Sequence, residues 1–157
     1  GKSLTHAIDG SHAVIGAEVT LEDGAHLTDA ELRATAGLVL AAGFETTVNL
    51  LGNGIRLLID APDQLEALRE RPENWSTAVE EILRVESPVQ LSARTAVVDT
   101  EVAGRPIRRG DTVLIYMAAA NRDPAVFTDP HRFDVERANA GRHLAFSGGR
   151  HFRMLAM

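Results

Sequence analysis

From Ala34 to Ile55 the only charged residue is Glu45. A helix drawn over that stretch has no face that prefers water, so it should run through the middle of a protein. Its start is marked by Thr28 followed three residues later by Glu31, the pattern of a capping box, with Leu27 and Leu32 spaced for a hydrophobic staple. Extended to about residue 59, such a helix is about 48 Å long at 1.5 Å per residue. The 157 residues make one ordinary domain, hardly thick enough to cover it. The expectation is therefore the trailing part of something larger. Lipid is the other apolar surrounding, but Glu45, Asn49 and Asn53, with Gly37, Gly43, Gly52 and Gly54, argue against it, and no membrane partner is expected.

Pro62 suits the first position of a second helix, "PDQLEALRER", which Pro72 ends, and "WSTAVEEILRVE" reads as a third, stopped by Ser87-Pro88. Beyond Pro88 the character changes. The runs "ARTAVVD", "TEVAGRPIRRG" and "DTVLIYMAAA" are of β type, punctuated by Gly104 and Gly110, and suggest a small antiparallel sheet. The segment "NRDPAVFTDPHRFDVERANAGRH" has no sustained period and is long for a loop, so it should be functional or pinned by structure. Residues 1–26 are mixed in character and give no assigned element. The predicted fold is mainly α with a small antiparallel β-sheet.

Composition narrows the function classes. A net charge of −6 and the lack of a basic stripe interleaved with aromatics exclude nucleic acid as the expected partner. No cysteine occurs, which removes disulfides, thiolate metal ligands and a cysteine nucleophile. The first residues show neither a signal-peptide pattern nor a lipidation motif, so a cytoplasmic location is the expectation.

Four constellations stand out. In "AGFETT", Gly43, Thr46 and Thr47 weaken a helix at its centre. Two readings stay open there: a widened groove in which a hydroxyl and Glu45 relay protons, or a close helix crossing at Gly43 with Glu45 in a buried ion pair. Glu81 and Arg84 lie three apart on the third helix, with Glu80 an equal partner for Arg84 by spacing. Arg132, in "PHRF", has donors enough to tie loop carbonyls to a carboxylate. In "FSGGRHF", Gly148 and its neighbour make either a turn or a place where backbone approaches a bulky ligand, and the six histidines show no metal-ligand spacing.

Taken in order, these elements resemble the C-terminal half of a cytochrome P450 of the soluble bacterial kind, from about residue 27 to 152, with residues 1–20 unassigned. "AGFETT" is similar to that family's oxygen-activation motif, "EILR" to its E-x-x-R, "PHRF" to the segment giving the second arginine of the same triad, and "FSGGRHF" to its haem-binding loop. The resemblance implies a haem-dependent monooxygenase acting on a small organic substrate, with an electron-donor redox protein as partner. Glu45 and Thr46 would handle the protons that dioxygen cleavage consumes, and Gly43 would leave room for dioxygen. Arg94 and His151 would pair with haem propionates, Phe146 would pack near the proximal face, and Gly148 would belong to the haem loop. Glu81, Arg84 and Arg132 would form a buried structural network.

One departure bears on chemistry. Counting from Phe146 in F-x-x-G-x-H-x-C-x-G puts Arg153 at the cysteine position and Leu155 at the following glycine. A guanidinium stays protonated and has no electron pair to give iron. Without the thiolate the chain is expected to be inactive as written, its ending like that of a frameshifted or truncated reading frame. The alternatives are a non-catalytic remnant, which binds haem weakly through Arg94, His151 and a substitute ligand such as His151 or Met154 or binds none, and a helical interaction module. Much of the long helix is expected to lie open to water.

Overall fold

The computed structural model describes residues 4–9, 12–17 and 27–148. The chain divides into two compact units, residues 1–45 and 46–157, and the long helix begins in the first and ends in the second.

In the first unit, strands β1 (Leu4–Asp9) and β2 (His12–Ala17) pair antiparallel, with Asp9 opposite His12. The sequence reading assigned no element here. Gly10-Ser11 between two short runs is a two-residue hairpin signal that scattered polar residues hide. Helix α1 (Asp29–Asp60) starts where the capping box places it. The Thr28 N–H donates to Glu31 Oε2 at 2.8 Å, and the Glu31 N–H donates back to Thr28 Oγ1 at 3.3 Å. Two orphan donors of the first turn are satisfied reciprocally.

Much of α1 lies open to water, as expected of a piece of something larger. Gly54 is its only buried residue, and Leu38, Leu40 and Phe44 are 69%, 73% and 70% exposed. The physical reason is a shortage of neighbours: among the described residues, α3 (Trp75–Val85) meets α1 near Gly54, where a Cβ would stand 3.1 Å from Ile82 Cδ1. The adjacent Asn53 donates its side-chain amide to the Glu86 carbonyl at 3.0 Å. The close crossing is thus at Gly54. At Gly43, where one reading placed it, no other element among the described residues comes within 4 Å of a Cβ position. By length and composition α1 would pass for a membrane span, but this polar and glycine-mediated contact is one that a helix makes to protein.

In the second unit α2 (Pro62–Glu70) begins on Pro62, which fills a first-turn position where no N–H is needed. A 3-10 turn, Pro72–Asn74, leads into α3. The core joins Leu68 of α2, Ala78 of α3 and Val135 of the following irregular segment, with Leu58, Ala67 and Phe133 packed on it. Strand β3 (Leu91–Thr95) pairs with β6 (Thr112–Tyr116), and between them β4 (Thr100–Val102) and β5 (Arg105–Ile107) form their own hairpin. The expected sheet is therefore two separate two-stranded ladders. The last part of "DTVLIYMAAA" is not strand but a short helix, α4 (Met117–Ala120). Residues 121–148 contain one 3-10 turn, Ala140–Arg142, and otherwise run as turns, as the lack of a period suggested.

Candidate functional site

A buried polar centre lies on α3, whose enclosed face carries two charged residues, Glu81 and Arg84. Arg84 Nε and Nη2 grip Glu81 at 2.7 and 2.9 Å. Its Nη1 donates to the carbonyls of Asn121 and Pro130 at 2.8 and 2.7 Å, and Nη2 also to that of Arg132 at 3.1 Å. All five guanidinium donors are used, and the Phe127 ring lies 5.0 Å below the guanidinium carbon. Glu81 Oε1 accepts two further bonds, from the Asp134 N–H and from Arg137 Nε, each 3.0 Å. One carboxylate between two guanidiniums leaves a net positive charge, and the ring of carbonyl dipoles offsets it.

The second arginine of this network is Arg137, not Arg132. Arg137 reaches the Thr128 carbonyl at 2.6 Å and those of Asp129 and Arg132 at 3.2 and 2.9 Å. Arg132 contributes only its backbone oxygen, while its side chain is exposed. Asp129, whose carbonyl accepts from Arg137, adopts a left-handed φ of 47°. Glu80, a candidate partner for Arg84 by spacing, instead meets His143: Nε2 lies 2.9 Å from Glu80 Oε2.

The approach to the glycine-rich loop is tied to the same helix. Ser87 Oγ donates to the Leu83 carbonyl at 2.6 Å and accepts from Asn121 Nδ2 at 3.0 Å. Asn121 Oδ1 then accepts the Leu144 N–H at 2.7 Å. His143 Nδ1 accepts the Ala145 N–H at 3.1 Å, and its ring lies 5.8 Å from that of Phe146. Ser147 has φ 63° and donates its N–H to the Leu144 carbonyl at 2.8 Å, closing a turn. The sequence reading missed Asn121, Arg137 and His143. A polar residue inside an otherwise apolar neighbourhood was the available signal only for Asn121, next to "MAAA".

The other predicted residues take no part in the Glu81 hydrogen-bond network. Glu45 is exposed on α1 rather than in a buried ion pair, and Thr46 is half-buried on the same helix. Arg94 is exposed on β3 and holds Ser92 Oγ and the Ala93 carbonyl at 2.6 and 2.8 Å through Nη1. Phe146 is half-buried and Gly148 is exposed. His151 and Arg153 lie outside the described residues. No cluster of metal-ligating side chains occurs among the described residues.

The family model described as cytochrome P450 matches residues 3–72 and 76–152. The chain belongs to the cytochrome P450 family. The match begins well before residue 27 and so takes in the amino-terminal residues that the sequence reading left unassigned. The inferred cytochrome P450 140 of Mycobacterium tuberculosis is 71% identical over 80% of this chain and 29% of its own length. The cytochrome P450 monooxygenase PikC of Streptomyces venezuelae is 50% identical over 83% of this chain and 32% of its own. The P450 PksS of Bacillus subtilis has a solved structure with TM-score 0.80 and 41% identity, covering 90% of this chain and 36% of that one. The chain thus spans about a third of the length of these P450 relatives.

P450 proteins hold haem, and the donor set here fits only part of that group. The exposed guanidinium of Arg94 suits an anionic edge. An axial ligand is another matter. The sequence has no cysteine, and the described histidine nearest the loop is unavailable because His143 is buried with both ring nitrogens engaged. The residues present do not fit a haem ligated in the P450 manner.

Proposed function

We propose that these residues form the haem-side scaffold of one partial P450 domain and that, with arginine at the ligand position, the chain by itself does not catalyse monooxygenation. In this family haem supplies dioxygen activation for insertion of one oxygen atom into an organic substrate. The chain's own contribution is mechanical. Glu81, Arg84 and Arg137 fix the irregular segment against α3, and Asn121 and His143 carry that order into residues 143–148. Arg94 and His151 are the proposed partners of the haem propionates, with Phe146 and Gly148 in the loop. On α1, Glu45 and Thr46 are the proposed proton carriers, and Gly43 is the proposed room for dioxygen. The whole protein's partners would be a small organic substrate and an electron-donor redox protein, and its compartment the cytoplasm.

The observation that carries this reading is the coexistence of a complete Glu81 network with Arg153 at the cysteine position. A haem-bound sample reduced under carbon monoxide tests it, because a thiolate complex absorbs at longer wavelength than an imidazole one. The Arg153→Cys variant is expected to gain the thiolate band and the parent to lack it. A thiolate-type band in the parent, or haem uptake that is the same in both with no change of band, contradicts the proposal. The exposed apolar side chains of α1 favour a second reading, a helical module that docks a partner.

A further inference from the structure

The contacts of His143 do more than fill space. Its ring is enclosed between α3 and the turn that follows it, and each nitrogen has a separate partner on a separate part of the chain. Nδ1 accepts a hydrogen bond from the Ala145 N–H, so it carries no proton. The proton of the neutral ring must therefore sit on Nε2, which donates it to Glu80 Oε2. Helix α3 thus selects one tautomer, and that tautomer offers its free lone pair to the backbone two residues on. The geometry at Nδ1 is that of a side chain accepting from residue i+2, the contact an asparagine makes in an Asx-turn.

We propose that His143 is a positioning residue for residues 144–148: Glu80 sets the Nε2–H tautomer, and Nδ1 holds the Ala145 N–H and so the path into the glycine-rich loop. The function assigned to that loop rests on the P450 reading above, whereas the tautomer and its grip on Ala145 do not. Asn121 holds the preceding amide, Leu144, and cannot replace the contact at Ala145.

Residue-resolved hydrogen exchange and imidazole nitrogen chemical shifts, measured on the full chain without haem, test this apart from any cofactor. In the parent, the His143 signals should be those of the neutral Nε2–H tautomer. His143→Gln keeps an amide on the Glu80 side and loses the near acceptor, so the Ala145 amide should exchange about tenfold faster while α3 amides are unchanged, the effect of one hydrogen bond. His143→Asn keeps the near acceptor and should restore most of the Ala145 protection. Glu80→Gln should shift the tautomer signals without unfolding α3. A role of His143 in packing alone predicts that Leu protects Ala145 as well as Asn does, and that result overturns the proposal. So does an Nδ1–H tautomer or an imidazolium in the parent.

Discussion

At the scale of single residues, the buried charges of this chain do structural work. Arg84 spends every donor inside the protein, so it acts as a fastener between α3 and the carbonyls of residues 121, 130 and 132. Helical spacing offered Glu81 as a partner for Arg84 but left Glu80 an equal one, and only the family resemblance singled out Glu81. The choice of Arg137 over Arg132 was not legible. Four arginines, Arg122, Arg132, Arg137 and Arg142, lie in an aperiodic segment, and without a repeat nothing in the sequence says which of them faces inward. Glu31 gives a pH-dependent prediction. Hydrogen bonds from the Thr28 N–H and then from its hydroxyl hold the Glu31 carboxyl below its ordinary value. A lowered folded value means that the charged form is the one bound. The capping contact is therefore complete above the ordinary glutamate range and is lost as pH falls through the lowered value. Acid titration followed at the Thr28 amide should show the first turn of α1 opening in that window, and Glu31→Gln should abolish the transition.

At the scale of elements, periodicity and capping predicted what local chemistry controls. Helix α1 begins at its capping box, α2 at its proline, and α3 runs from Trp75 to Val85. The strands were legible as β-type runs, but their division into two ladders was not, since pairing is a long-range choice. The turn between β4 and β5 shows a local conflict. Ala103 and Gly104 both have positive φ, 51° and 75°, as a type I′ turn requires, yet alanine disfavours that conformation. Ala103→Asn should stabilise the hairpin by about 1 kcal/mol, read from urea unfolding, because Asn-Gly is the favoured pair for this turn. Gly54 presents the opposite case. Its Cβ position is 3.1 Å from Ile82 Cδ1, so Gly54→Val should separate α1 from α3 and cost about 1–3 kcal/mol by overpacking.

At the scale of the whole molecule, the chain is about a third of a P450, and its surface reflects that. Leu38, Leu40, Phe44, Leu51 and Ile55 of α1 and Tyr116 of β6 are all exposed. Apolar exposure of this kind drives association. Sedimentation velocity at micromolar concentrations should find oligomers rather than monomer, and replacing Leu40 and Phe44 with Gln should reduce them. The long uncharged run in the sequence signalled that α1 needs neighbours, and a chain hardly thick enough to cover it pointed to something larger. The buried Glu81 network, closed by Arg137, is expected to order this scaffold in the haem-free chain. Equilibrium urea unfolding of the haem-free chain, with Arg137→Met and Arg132→Met in parallel, tests it most directly. Loss of Arg137 should cost about 3 kcal/mol, because it breaks a buried charge network. Loss of the exposed Arg132 side chain should change stability by less than about 0.5 kcal/mol. Equal effects at the two positions, or a larger loss at Arg132, would contradict the account.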